Sequence, residues 1–214
     1  MFKQLLSVFL ESRCPFCQRT NPQTICSYCF AQLSSQQLKP QERRSWWGDL
    51  PVFAWGQYAG QLKRAIALMK YQQQPEIGIV LGHLLGNAWL ASNLIQLPKI
   101  SVVPIPLHQQ RMKERGFNQA AKIARGFCQV TKYDLCSEAL LRTRSTQAMF
   151  ELDPTARTKN IAGAFSLGHK KPKHPVLLLD DIYTMGTTVK ESAKILRQGK
   201  IQVIGSVVVA KTRQ

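Results

Sequence analysis

Residues 176–188 read VLLLDDIYTMGTT, and this stretch decides the fold. Four apolar residues, Val176, Leu177, Leu178 and Leu179, predict a parallel strand buried on both faces. The strand is expected to end in two adjacent carboxylates, Asp180 and Asp181. A turn rich in hydroxyls with one glycine follows, and residues 189–197 then read as a helix. Ligands of open α/β sheets sit at the carboxyl ends of strands, and phosphates sit at helix N-termini. The chain has 12 acidic residues against 29 basic ones. Two of its few acids side by side are unfavourable unless a cation or a set of hydroxyl donors engages them.

Outward from this stretch, strands alternate with helices. Residues 52–58 read as a strand and residues 60–71 as a helix, with Leu62, Ile66 and Met69 at helical spacing. Pro75 opens a second helix that carries Gly78, Gly82 and Gly86 on one face. Residues 100–103 read as a strand stopped by Pro104 and Pro106, whose turn can hold a strained or cis peptide, the isomer being left open by the sequence. Residues 117–130 read as a helix, Leu140 and Leu141 as a short strand, and residues 201–210 as the last strand. Such alternation predicts an α/β fold with a doubly wound, mainly parallel sheet. Residues 142–157 are rich in Arg, Thr and Ser without a period, and a loop of that length is usually functional. Pro154 suits the first turn of a short helix within it.

Residues 77–97 are the one candidate membrane span, but His83, Asn87, Asn93 and Gln96 fall inside it. A buried soluble helix is therefore expected, its glycine face lying close to a sheet, with no stable membrane insertion. The apolar residues 5–10 are too short for a secretory signal. Six cysteines without a signal point to a reducing, cytoplasmic setting. Cys128 and Cys136 stand alone and are expected as packed thiols. The formal net charge of +17 suits a polyanion: nucleic acid, a phosphorylated metabolite or an acidic membrane surface.

Cys14, Cys17, Cys26 and Cys29 form two CxxC knuckles eight residues apart. Two such knuckles aim four thiolates at one tetrahedral centre, the arrangement of structural zinc. So short a segment has little core of its own, so the metal would organise it. Residues 38–45, LKPQERRS, are polar and read as a linker. The expected division is a four-cysteine, zinc-finger-like segment with its linker at residues 1–45, followed by the α/β domain at residues 46–214.

An apolar strand ending in Asp-Asp also has the look of a Walker B element. That reading needs a GxxxxGK[ST] loop, which the chain lacks, and a GxGxxG fingerprint is missing too. Two readings of the acids stay open. They can cap a strand end through an ion pair with a neighbouring Arg or Lys. They can also accept hydrogen bonds from vicinal ribose hydroxyls, while Thr184, Gly186, Thr187 and Thr188 wrap a phosphate.

The run resembles the phosphoribosyl-pyrophosphate (PRPP) signature of type I phosphoribosyltransferases. The resemblance implies that Asp180 and Asp181 hold ribose hydroxyls and that Thr184, Met185, Gly186, Thr187 and Thr188 hold the 5′-phosphate, with Mg²⁺ accompanying PRPP. Met185 departs from the signature, which usually has a second threonine there, and the loss of that hydroxyl weighs against turnover. Further segments narrow the match: VPIPLH at residues 103–108, then Arg111, Arg115 and residues 116–119, then Arg142, Thr143, Gln147, Arg157, Asn160 and GAF at 163–165. With the leading cysteines, the chain is similar to the ComF/ComFC family of competence proteins, a zinc-binding segment on a phosphoribosyltransferase-like domain.

Arg111 and Arg115 lie four apart and suit a phosphate or pyrophosphate clamp, or alternatively a solvated basic turn. Arg142, Arg144 and Arg157 sit where such enzymes carry a catalytic hood, or they track a DNA backbone. Asn118 and Gln119 either contact a ligand or cap the helix near Phe117. His108 is a weak general-base candidate and a hydrogen-bonded loop histidine is the better reading. Trp46, Trp47 and Trp55 are expected in packing rather than base stacking. The resemblance implies a DNA-uptake factor that binds PRPP or a related sugar phosphate and single-stranded DNA. A ComFA-like helicase is its implied partner, which could bring the protein to the inner face of the membrane. The alternative is an active phosphoribosyltransferase, with Arg111, Arg115, Asp180 and Asp181 as its catalytic candidates.

Overall fold

The computed structural model describes residues 13–47, 50–94, 97–144 and 161–212. The fold is an α/β sheet sandwiched between helices, as the alternation predicts. The main sheet contains β1 (Arg44–Trp47), β2 (Leu50–Gln57), β3 (Ser101–Pro104), β4 (Asp134–Leu135), β7 (Val176–Tyr183) and β8 (Val203–Lys211). Its spatial order is β1-β2-β8-β7-β3-β4. Only the β1–β2 pair is antiparallel, so five strands run parallel. A separate antiparallel pair joins β5 (Leu140–Arg142) to β6 (Phe165–Leu167).

Side chains alternate along β7, so one strand feeds two cores. Leu177 and Leu179 pack with α2 (Gly60–Tyr71), α3 (Pro75–Leu90) and α5 (Gln119–Thr131), through Ile66, Leu81 and Ile123 among others. Val176 and Leu178 pack with Val189, Ala193 and Leu196 of α6 (Thr187–Gln198) and with Leu140 and Phe165. Burial on both faces is why this strand reads as an unbroken apolar run.

The acidic pair lies inside β7 rather than beyond its end. Asp180, Ile182 and Tyr183 pair with Val208, Ala210 and Lys211 of β8. Backbone pairing is indifferent to side-chain polarity, so the strand lasts as long as its partner does. The glycine face of α3 also differs from expectation, because it meets a helix and not a sheet. A Cβ on Gly82 would stand 2.2 Å from the Ile123 carbonyl oxygen and 2.7 Å from the Phe127 amide nitrogen of α5. Gly126 answers from the other side, where a Cβ would stand 2.3 Å from the Ile79 carbonyl oxygen. Backbone cannot step aside as a flexible side chain can. Gly82→Ala is therefore expected to destabilise the fold by about 2 kcal/mol or more, measurable as a lower urea midpoint.

The segment read as a linker, residues 38–45, is tied into the fold. It holds a 3₁₀ turn at Pro40–Glu42 and the start of β1, and the Leu38 amide donates to the Trp55 carbonyl at 2.9 Å. Trp55 is buried, as packing requires, whereas the side chains of Trp46 and Trp47 lie outside the described ones. Among the described residues every peptide bond is trans, including those at Pro104 and Pro106. Gln147, Arg157, Asn160 and the short helix expected at Pro154 lie outside the described residues. No helix among the described residues is long and apolar enough to cross a membrane.

Candidate functional site

A cleft of about 260 Å³ opens at the carboxyl ends of β3 and β7. Its floor is the acidic pair. Asp181 is 4% exposed and forms an ion pair with Lys70, in the last turn of α2. Burial alone would raise the Asp181 pKa, but the charge and hydrogen bond of Lys70 outweigh it and hold the carboxyl below its usual range. Burial likewise opposes the Lys70 charge, and Asp181 more than offsets it, so the ammonium pKa is raised. Asp180 is the opposite case. Burial and the neighbouring Asp181 charge push its pKa well above the carboxylate range. Its Oδ1 accepts the Asp181 amide hydrogen at 2.8 Å. The two adjacent acids thus divide: Asp181 is neutralised by Lys70, whereas Asp180 lines the cleft with no ion pair among the described residues.

The threonine turn supplies the far wall. Thr184 and Thr188 line the cleft, whereas Met185, Gly186 and Thr187 do not. Gly186 is the N-cap of α6 at φ 70°, and a Cβ there would stand 2.2 Å from the Tyr183 hydroxyl oxygen. Both conditions require glycine, and the second arises from packing inside the turn. Helix α6 thus begins beside Thr188 at the cleft, and the free N–H groups of a helix N-terminus favour anions.

The cationic wall comes from α4 (Gln109–Arg115) and from β5. Arg111 and Arg115 both line the cleft, one helical turn apart, and Arg142 joins them from β5. Arg115 lies over the Tyr71 ring at 5.9 Å and donates to the Gln119 side-chain oxygen. Burial lowers the pKa of Arg115 and of Arg142. Gly116, at φ 78°, closes the helix and turns the chain toward α5. Arg144 stands outside the lining and donates to the Ala162 carbonyl at 2.6 Å.

Asn118 caps α5, accepting from the amides of Ala120 and Ala121, and it donates to the Ile105 carbonyl at 3.0 Å. Gln119 is buried and lines the cleft while holding Arg115. His108 caps α4 through Nδ1, which accepts from the Gln110 amide at 3.3 Å. Cys136 is buried and Cys128 half-buried, and burial pushes up both thiol pKa values, so neither behaves as a ready nucleophile.

Lys70 is the residue that sequence reasoning missed. The signal is present in the pattern: Leu62, Ile66 and Lys70 fall four apart, so a lysine continues the buried stripe of α2. A charge on an apolar face needs a partner, and the topology supplies Asp181.

The second candidate centre is the cysteine cluster. The Sγ atoms of Cys14, Cys17, Cys26 and Cys29 all lie within 4.8 Å of one another, and those of Cys17 and Cys26 are 3.6 Å apart. Four sulfurs around one zinc stand about 3.8 Å apart, so the cluster fits the ion. Cys26 is the N-cap of α1 (Ser27–Ser34), and Cys29 is on its first turn. Phe16, Ile25, Cys29 and Leu33 share the core that contains Leu62, Ile66 and Met69 of α2. Arg64 of α2 donates to the Phe16 carbonyl at 2.6 Å. The cysteine segment therefore packs on the same helix that delivers Lys70.

Fold and site together define an α/β protein with a mainly parallel sheet and a polar cleft at its carboxyl edge, preceded by a four-cysteine cluster that could hold a metal ion. No family model matches the chain. It is 29% identical over 191 residues to DNA utilization protein YhgH of Escherichia coli (strain K12), covering 86% of this chain and 83% of that protein. It is 28% identical over 194 residues to Competence protein F of Haemophilus influenzae, covering 84% and 81%. These relatives bear out the resemblance to the ComF family.

Proposed function

We propose that this chain is a competence or DNA-utilisation protein that binds PRPP, or a related sugar phosphate with Mg²⁺, in the cleft between Arg111, Arg115 and the acidic pair. Single-stranded DNA would be its macromolecular ligand, and a ComFA-like helicase its partner. The observation that carries the cleft reading is the meeting of three chemistries within it: a carboxylate pair, a helix N-terminus with threonine hydroxyls, and guanidinium groups on the opposite wall. In this reading Thr184, Thr188 and the α6 amides receive the 5′-phosphate. Asp180 accepts from the ribose hydroxyls. Arg111 and Arg115 neutralise the pyrophosphate, and Lys70 keeps Asp181 from repelling the ligand. Bound Mg²⁺ would add countercharge to the pyrophosphate. The names of the relatives support the DNA role. Zinc would hold residues 1–45 as a docking unit on the domain at residues 46–214.

An active phosphoribosyltransferase is the second reading. Arg142 favours it, since it projects into the cleft from the base of the loop read as a catalytic hood. Met185 in the phosphate turn weighs against it. Calorimetric titration of PRPP–Mg²⁺ and, separately, of a single-stranded oligonucleotide separates the ideas. Wild type is expected to bind both, and Asp180→Asn/Asp181→Asn to lose PRPP while retaining DNA. Absence of PRPP binding to wild type would remove the cleft reading, and release of pyrophosphate with a nucleobase would favour the enzyme.

A further inference from the structure

In a parallel sheet all strands begin at one edge and end at the other. The cleft occupies the carboxyl edge. At the opposite edge, four neighbouring strands in the order β8-β7-β3-β4 begin at Val203, Val176, Ser101 and Asp134. Each is preceded within two or three residues by an exposed lysine: Lys200, Lys173, Lys99 and Lys132. Backbone hydrogen bonds lock the strand starts in register, from Val176 to Gln202, from Ser101 to Pro175 and from Asp134 to Ile100, all at 2.8–3.0 Å. Adjacent strands lie about 4.8 Å apart, so the four lysines form a row roughly 14 Å long. Asp134 and Glu138 also stand at this edge, and each is engaged by a histidine: His174 at 3.2 Å and His169 at 2.6 Å. No carboxylate pairs with any of the four lysines among the described residues.

Lys132 and Lys200 hold φ values of 61° and 57° just after α5 and α6. Left-handed residues behind a helix are ordinarily glycine or asparagine, because a Cβ is disfavoured there. Two of the four lysines therefore occupy positions where backbone chemistry alone would select another residue.

We infer that this amino edge is a binding surface for the phosphodiester backbone of single-stranded nucleic acid, distinct from the sugar-phosphate cleft and on the order of 20 Å from it. The lysines are spaced along a line, suiting a linear polyanion, and no base-reading group is needed. The inference rests on the nucleic-acid half of the proposed function and assigns it a place.

The test is Lys99→Gln/Lys132→Gly/Lys173→Gln/Lys200→Gly in the full chain. The two glycines relieve the left-handed backbone, so the melting temperature is expected to hold or rise. A control carries four glutamines at Lys39, Lys63, Lys113 and Lys194, with the same loss of charge. Binding of a labelled thirty-nucleotide single strand is followed by anisotropy across a salt series, with PRPP–Mg²⁺ titrated in parallel. The edge variant is expected to bind DNA at least about tenfold more weakly at low salt. Its slope of log K against log salt should shrink by roughly 0.7 for each phosphate no longer engaged. The control should change little, and PRPP binding should be the same in all three. If the wild type binds DNA and the edge variant equals the control, the edge is not the site while the DNA role survives. If the wild type binds no DNA at low salt, both fall. If the edge variant loses binding only to vesicles containing anionic lipid, the surface meets a membrane and the inference is overturned.

Discussion

Cys29→Ser is expected to cost this protein more stability than any other single change considered. Cys29 is 4% exposed, and its sulfur lies within 4.8 Å of three others. Four thiols this close cannot ionise together without a cation. Burial would raise the Cys14 pKa, yet hydrogen bonds from the cluster's backbone and from Cys26 lower it to about 6. Burial and the neighbouring sulfurs, including the Cys14 charge, push Cys29 up to about 12. A divalent metal removes this conflict by taking all four as thiolates. Structural zinc in small peptides contributes roughly 10–16 kcal/mol, comparable to the whole stability of a domain. The loss will not stay local, because Phe16, Ile25 and Leu33 are part of the core beneath α2. Purified wild type is expected to carry one zinc per chain by elemental analysis. Cys29→Ser should carry less and melt more than about 10 °C lower. Cys128→Ser, at a packed thiol outside the cluster, serves as the control and should keep its metal. Wild type without zinc, and with a melting temperature indifferent to strong chelators, would sink the metal reading.

Lys70→Met should destabilise the protein by about 3–5 kcal/mol at neutral pH, because it strands Asp181 as an unpaired buried charge. The pH dependence has a definite sign. The Asp181 pKa is lowered in the fold, so its stabilising effect is present above the unfolded carboxylate value near ~3.9 and is lost as pH falls through the folded value. The Lys70 pKa is raised, so its effect is complete below the unfolded lysine value near ~10.4 and is lost as pH rises through the folded value. The difference between wild type and Lys70→Met should therefore be widest between those limits and shrink toward acid, where Asp181 takes a proton. Adding Asp181→Asn to Lys70→Met should recover much of the loss. Asp180 runs the other way. Its pKa is raised, so its ionisation opposes folding as pH climbs above the ordinary carboxylate value. Asp180→Asn should stabilise the free protein at neutral pH while abolishing PRPP binding. Chemical denaturation from pH 4 to pH 9 reads wild type and each of these variants, with Asp181→Asn alone alongside them. Equal losses from Asp180→Asn and Asp181→Asn would refute the division of labour between the two acids.

Lys70 shows the limit of reading along the chain. It lies far from Asp181 in sequence, and only the placing of α2 beside β7 brings them together. The threonine turn is legible from its own residues, but that Thr184 and Thr188 rather than Met185 and Thr187 line the cleft is decided by the folded turn. The glycine face of α3 was visible as a close-approach surface, and its neighbour was not, since a missing Cβ specifies nearness and not identity.

What the amino-acid order determined alone is whatever depends on short-range pattern. The apolar run at residues 176–179, the strand–helix alternation, the paired CxxC knuckles and the excess of basic charge are all of this kind. Each is a property of neighbours within a few turns of helix or one strand, or of composition itself. Tertiary structure alone decided which acid is neutralised, which arginines reach the cleft, and that four lysines from distant segments line one edge of the sheet. Those facts are set by burial and strand order, which bring together residues that no local spacing relates.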